Sequence, residues 1–100
     1  MEKLLIVAAL ACQSGDRAID LSGKLPRGLQ YIDFIVSVEP LYARLYIYQL
    51  GYPDSFQQCC SNKAISVLRV PIGAGRFCVR QSQPQMKWHL RAVAGREIEL

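Results

Sequence analysis

The chain has 100 residues, of which 51% are hydrophobic and 20% are charged. This composition is too apolar for an intrinsically disordered chain, and no apolar run approaches the roughly 20 residues that a membrane-spanning helix needs. A length of this order is typical of one domain around one modest core. We therefore expect residues 1–100 to form a single small globular domain with no membrane span.

The net charge of +4 is unevenly distributed. Residues 1–62 hold five Lys or Arg and six Asp or Glu, a balance of −1, whereas residues 63–100 hold seven and two, a balance of +5. A basic last third favours association with acidic surfaces. The expected partner is a protein or nucleoprotein with an acidic surface, and nucleic acid is a possible partner.

Residues 1–12 fit two interpretations. The continuous apolar run 4–11, followed by the polar QSGD, is typical of a buried strand. The same segment is similar to a short signal that ends at a lipoprotein-type cysteine, Cys12, although Glu2 offsets Lys3 where such signals are positively charged. We expect a first strand here, and an exported lipoprotein is the alternative.

Two stretches rich in Gly, Ser and Pro, QSGD and LSGKLPRG, are typical of loops. They flank RAIDL, which is at most a short edge strand. Residues 29–37 alternate polar and apolar side chains and then become continuously apolar. This pattern predicts a second main strand that is buried at its far end.

The segment LIVAALA, followed by RAIDLSGKLP, resembles the opening strand and loop of dihydrofolate reductases. Arg27 stands where that family has a tryptophan, and the similarity does not continue along the chain. No site residue is assigned from it.

The stretch from Pro40 to Leu50 has the punctuation of a helix. Pro40 suits a first helical turn, Gly51 suits the residue after a helix end, and Pro53 prevents continuation. We therefore expect one central helix over Pro40–Leu50, with Gly51 at positive φ.

Tyrosines are concentrated in this predicted helix. Leu41, Leu45 and Tyr48 recur at helical spacing, with Tyr42 and Tyr46 beside them. Tyrosine is frequent at protein interfaces, so Tyr42 and Tyr46 are candidate partner-binding residues.

From Ala64 onward the hydrophobic period changes to two, in AISVLRV, RFCVRQ and MKWHLRA. This alternation predicts an antiparallel meander of three or four strands with one buried face. Together with the N-terminal strands and the central helix, it predicts an α+β fold.

Hairpin registers explain the charges of the last segment. A hairpin around SQPQ, pairing Gln81 with Met86, lines up like charges on neighbouring strands. A final hairpin would place Glu97 opposite Arg91 and Glu99 opposite His89. The glutamates would then offset repulsion between the cations.

Three cations have no acidic partner in these registers: Arg76, Arg80 and Lys87. They are the candidate partner-binding residues of a basic sheet face, although three cations are few for binding nucleic acid.

The four cysteines show no C-x-x-C spacing. Neighbouring cysteines such as Cys59 and Cys60 rarely form a disulfide, so we expect four free thiols in a reducing, cytoplasmic environment. A Cys78–His89–Glu99 arrangement would be chemically sensible, but an exposed sheet face offers no water-excluding site for catalysis. No catalytic residue, metal site or cofactor is assigned.

These patterns predict a small non-enzymatic binding module, an adaptor or inhibitor. It would dock on a macromolecular partner through the Tyr-rich helix, the basic sheet face or both. The alternatives are a nucleic-acid-binding protein that uses the basic face, a small Cys/His enzyme and an exported lipoprotein.

Overall fold

The computed structural model of the protein describes residues 11–60 and 62–100. The described residues form eight strands: β1 (Arg17–Asp20), β2 (Tyr31–Glu39), β3 (Leu45–Gln49), β4 (Gln57–Gln58), β5 (Ile65–Pro71), β6 (Arg76–Gln81), β7 (Lys87–Val93) and β8 (Glu97–Ile98). A 3₁₀ turn, Pro53–Ser55, lies between β3 and β4. Within these ranges no helix is long and apolar enough to cross a membrane. The expected first strand over residues 4–11 falls outside the described residues, apart from Ala11.

The strands form two antiparallel sheets. The first sheet has the order β1-β6-β3-β4 and the second has the order β5-β2-β7-β8. Their inner faces share one hydrophobic core, in which Phe34 of the second sheet meets Phe77 of the first edge-to-face, with ring centroids 5.2 Å apart. The architecture is therefore a β-sandwich.

Strand β2 confirms the predicted second main strand, and it extends to Glu39. Ile32, Phe34, Val36 and Val38 alternate with less buried residues and all point into the core. Because successive side chains of a strand point to opposite faces, this alternation fixes the inner face of β2.

The predicted helix over Pro40–Leu50 is wrong, and with it the α+β fold class. The segment contains β3, whose inward residues Leu45 and Ile47 are fully buried between β6 and β4. Aromatic and β-branched residues fit a pleated surface, and pairing on both edges outweighs the helix punctuation. Gly51 does have φ of 90°, as predicted, but it follows a strand rather than a helix.

The predicted C-terminal meander is also wrong, although its strands lie where the alternation places them. Strands β5 and β7 both pair with β2 in the second sheet, whereas β6 pairs with β1 and β3 in the first. The connections β5–β6 and β6–β7 therefore cross between sheets. Alternation defines which face of a strand is buried but not which strand lies beside it.

The last hairpin is confirmed with a shifted register. Ala92 pairs with Ile98 and Val93 with Glu97, two residues away from the predicted pairing. A shift of two keeps every side chain on its predicted face. Arg91 Nη1 still lies 3.5 Å from Glu97 Oε1, so this glutamate does offset a cation of β7.

The predicted free thiols are wrong, because the four cysteines form two disulfides. Cys12 bonds to Cys78 and ties the segment before β1 to the outer face of β6. Cys59 bonds to Cys60 after β4, where both are buried and Cys60 has φ of 92°. The expectation of a reducing compartment loses the support of free thiols and stays a prediction.

Candidate binding cleft

The structure does not assemble the predicted basic face. Arg76 and Arg80 lie on the outer side of β6 in the first sheet, whereas Lys87 begins β7 in the second. Arg76 Nε lies 3.6 Å from a carboxylate oxygen of Asp20, and Lys87 pairs in register with Glu39. The three cations are divided between two sheets and each has an acidic neighbour.

The two candidate tyrosines do not form a joint surface. Tyr42 lies in the loop before β3 and is 63% exposed. Tyr46 is on β3 and half-buried, and its ring meets Phe56 edge-to-face at 5.5 Å between centroids. Phe56 therefore covers part of the Tyr46 ring, which the predicted helix would have exposed to a partner.

Arg80 belongs to a partly buried polar network. Asp16, whose side chain is 5% exposed, accepts hydrogen bonds from the guanidinium of Arg80 at 3.2–3.3 Å and from the Tyr48 hydroxyl. Arg80 also donates to Gln13 and lies over the Tyr48 ring, 5.6 Å from its centroid. Burial and then the hydrogen bond to Asp16 raise the pKa of Tyr48, and the hydrogen bond with Asp16 raises the pKa of Arg80.

This network lies between the chain before β1 and the first sheet. It fastens residues 13–16 to the outer face of the first sheet, next to the Cys12–Cys78 disulfide. The chemistry is that of an anchor for the chain before β1, and we assign it a structural role.

The candidate site lies at one side of the sandwich, where the edge strand β1 faces β7. We call it the lateral cleft. Its volume is about 340 Å³. Its lining residues are Arg17, Ala18, Ile19, Asp20, Leu21, Trp88, His89, Leu90 and Leu100.

Strand β7 has backbone groups along this cleft with which no other described residue pairs. Backbone groups of alternate residues in an antiparallel strand point to opposite edges, and the Ala94 N–H bonds to Arg96 across the last hairpin. Leu90 and Trp88, an even number of residues before Ala94, therefore point their N–H and C=O groups the same way. In the ladder between β7 and β8, the paired residues of β7 are Ala92 and Val93. The backbone groups of Leu90 and Trp88 therefore lie beyond the end of that ladder.

Strand β1 has the same property on the opposite wall. The Leu21 N–H donates to Gly75 at 2.8 Å, on the side of β6. Arg17 and Ile19 share this direction, so Ala18 and Asp20 direct their N–H and C=O groups to the open edge. The lateral cleft is thus bordered by backbone donors and acceptors from both sheets.

Side chains give the cleft an apolar wall and a cation. Trp88 is half-buried and faces inward opposite Val38, and the Arg17 guanidinium lies 5.5 Å from the centroid of its ring. Among the described residues no carboxylate lies within 4 Å of Arg17. The carboxylate of Asp20 accepts hydrogen bonds from the hydroxyl and the backbone amide of Ser22, and these bonds lower the pKa of Asp20.

The end of the chain forms one lip of the cleft. Lys24 Nζ donates to the Glu99 carbonyl at 2.9 Å and holds the last residues against the loop that follows β1. Leu100 lines the cleft and remains half exposed. Glu99 therefore contributes its backbone to this region, and it does not pair with His89 as predicted.

The arrangement suits binding through backbone hydrogen bonds, an aromatic surface and a cation. The Cys78–His89–Glu99 arrangement is not formed, because Cys78 is in a disulfide of the first sheet and His89 pairs with Ser37 in the second. No cluster of three metal-ligating side chains occurs in the described part of the chain.

Sequence reasoning missed Arg17 and Trp88 as site residues. The available signal was the phase of RAIDL, which puts Arg17 on the same face as Ile19, on the core side of an edge strand. A charged side chain on the core side of a strand needs contact with solvent, and the cleft provides this contact.

Comparisons of the chain with protein-family models, with curated proteins and with solved structures find no match.

Proposed function

We propose that the protein is a small binding module that holds an extended segment of a partner protein in the lateral cleft. The observation that carries this proposal is the edge of β7, where Trp88 and Leu90 direct into the cleft backbone groups that have no partner among the described residues. An extended peptide satisfies such groups by adding a strand to the sheet. The binding-module function inferred from the sequence is kept, and its site moves from the Tyr-rich segment and the basic face to this cleft.

The side chains define the segment that fits. Trp88, Ile19 and Leu90 favour an apolar side chain directed into the cleft, since its burial removes apolar surface from water. Arg17 favours an Asp or Glu next to it, because its guanidinium has no carboxylate within 4 Å among the described residues. The proposed ligand is therefore an extended segment with an apolar residue and an acidic residue two positions apart, because residues i and i+2 of a strand face the same side.

The experiment uses Trp88, which is the single tryptophan of the chain. Its fluorescence is titrated with a capped peptide of the repeat Val-Thr-Glu-Thr, which puts Val and Glu on one face of an extended chain, and with a matched peptide in which Lys replaces Glu. We expect the acidic peptide to change the emission of Trp88 and to bind at least about tenfold more tightly than the Lys peptide. A tenfold ratio of dissociation constants is the effect that we expect from one ion pair with Arg17. Arg17→Glu should reverse this preference, whereas Arg27→Glu, with the same change of net charge in an exposed loop, should keep it.

A second peptide tests strand addition directly. Methylating the backbone nitrogens of the Val and Glu residues, whose N–H groups would face β7, removes hydrogen-bond donors without changing the charge of the peptide and should abolish binding if the peptide pairs with β7, whereas methylating the Thr nitrogens should not. Equal binding by the peptide methylated at Val and Glu, or by Arg17→Glu and Arg27→Glu, would contradict the proposal. A single-stranded oligonucleotide that binds more tightly than either peptide, with affinity falling steeply in salt, would favour the nucleic-acid alternative.

A further inference from the structure

The second inference concerns β5, the strand at the opposite edge of the second sheet. Ile65 and Val67 are 63% and 64% exposed, although both are β-branched and apolar. Their side chains share the outer face of the sheet with Ile35, which pairs with Val67 on β2. An exposed apolar edge strand is a template for pairing with another chain.

Within residues 11–60 and 62–100, the backbone of β5 has no partner along the same edge. Val38 N–H donates to Ala64 at 3.2 Å, and Ile72 N–H donates to Gln30 at 2.9 Å. Even-numbered residues of β5 therefore direct their backbone groups toward β2. Ile65, Val67 and Arg69 direct their backbone groups to the other side, where the described part of the chain places no further strand.

We propose that β5 pairs antiparallel with β5 of a second copy of the chain, about a two-fold axis at Val67. In this register Val67 faces the same residue of the second copy, and Ile65 faces Arg69. Each of these pairs exchanges backbone hydrogen bonds, because all three residues point their N–H and C=O groups outward. The interface is isologous and closes as a dimer.

Charge selects this register. Arg69 donates two hydrogen bonds to Asp33, at 2.9 and 3.2 Å. In the proposed dimer, the aliphatic part of the Arg69 side chain lies beside Ile65 of the second copy. Lys63 comes opposite Pro71, so no like charges are opposed. A register centred on Arg69 would instead oppose two guanidinium groups, which is unfavourable.

The dimer leaves the lateral cleft accessible, because β5 and β8 are opposite edges of the second sheet. The inference does not depend on the proposed function. If both hold, one dimer presents two clefts.

Sedimentation velocity over a range of concentrations tests the dimer. The wild type should reach about twice the chain mass of 11.2 kDa as concentration rises. Val67→Lys and Val67→Glu each place two like charges at the two-fold axis and should raise the dimer dissociation constant by at least about tenfold. Tyr42→Lys, an equally exposed position in the loop before β3, should leave the dissociation constant unchanged.

Mixing the two charged variants gives the decisive result. An equimolar mixture of Val67→Lys and Val67→Glu should recover the dimer, because opposite charges then meet at the axis. Recovery is expected only if residue 67 faces residue 67. Three results would each overturn the inference: a wild type that stays monomeric at about 1 mM, a Val67→Lys variant that dimerises like the wild type, or a mixture that stays monomeric. The concentration of about 1 mM is chosen because small interfaces bind weakly.

Cross-linking provides an independent measurement. Opposed residues of a hydrogen-bonded pair have Cα atoms about 5.5 Å apart, which suits a disulfide. Val67→Cys should therefore give a covalent dimer on mild oxidation, and Tyr42→Cys should not. Equal yields from both variants would contradict the register.

Discussion

Asp16 is an enclosed carboxylate that accepts hydrogen bonds from both Tyr48 and Arg80. Asp16→Ala would leave the Tyr48 hydroxyl and part of the guanidinium without an acceptor. We expect the free energy of unfolding to fall by about 2 kcal/mol, measured by urea denaturation. Tyr48→Phe should cost less, about 1 kcal/mol, since the Asp16–Arg80 contact survives.

The control for Asp16 is Asp54→Ala, which removes an exposed carboxylate from the 3₁₀ turn. It should change the unfolding free energy by less than about 0.5 kcal/mol. Equal losses for the two Asp→Ala variants would mean that the network around Asp16 adds nothing to stability.

Asp33 makes stability depend on acid pH. Its hydrogen bonds from Arg69 hold the pKa of Asp33 below its ordinary value of 3.8. The folded state therefore favours the carboxylate form, and this stabilisation is complete above the unfolded-state pKa. It is lost as pH falls through the folded-state pKa.

We expect the melting temperature to fall as pH is lowered from about 5 to about 3, and Asp33→Asn to make this fall less steep. Arg69→Gln should reduce the pH dependence of the melting temperature to the same extent. A variant that combines Asp33→Asn with Arg69→Gln should reduce it no further. The effect is modest, because the Arg69 side chain is 68% exposed. An Arg69→Gln variant with the wild-type pH dependence would contradict the assigned cause.

At the scale of elements, the turn after β3 depends on Gly51. Its φ of 90° is a conformation that residues with a Cβ rarely adopt. We expect Gly51→Ala to lower the free energy of unfolding by about 1 kcal/mol in chemical denaturation. Gly23→Ala is the matched control, because Gly23 has no positive φ and an added Cβ there meets open space. A loss at Gly23 as large as at Gly51 would show that backbone strain is not the cause.

The segment that contains β3 shows why one element was mispredicted. Leu41, Leu45 and Tyr48 have helical spacing, but Ala43, Leu45 and Ile47 alternate and are the residues that enter the core. Both patterns are present in the same residues. Pairing with β6 and β4 decides between them, and this pairing involves residues distant in the sequence.

At the scale of the whole molecule, the Cys12–Cys78 disulfide joins residues 66 positions apart. Closing a loop of this size reduces the entropy of the unfolded chain. Replacing both cysteines with alanine should lower the free energy of unfolding by about 4 kcal/mol in urea denaturation.

The matched control is the double alanine variant of Cys59 and Cys60. This disulfide joins adjacent residues, so its loss leaves the unfolded chain almost unchanged and removes mainly side-chain packing. It should therefore cost clearly less than loss of the Cys12–Cys78 bond. The reverse order would show that loop closure is not what the long-range disulfide contributes.

The sequence by itself determined the local features of the fold. Alternation predicted strands within β2, β5, β6 and β7, with Phe77 and Val79 on one face and Trp88 and Leu90 on one face, because side-chain direction in a strand repeats every two residues. The sequence also allowed at most a short edge strand at RAIDL, where β1 lies. It predicted the last hairpin with Glu97 beside Arg91, in a register that the structure shifts by two residues, since a short loop restricts the pairing of its own strands.

Only the tertiary structure decided which strands are neighbours. Residues on β6 and β7 alternate in the same way, yet one strand joins each sheet, because burial of an apolar face is satisfied by many partners. Arg80 therefore meets Asp16 across 64 positions of the chain, and Arg17 meets the ring of Trp88 across the open side of the sandwich. The candidate cleft arises from these long-range contacts, and no local pattern contains them.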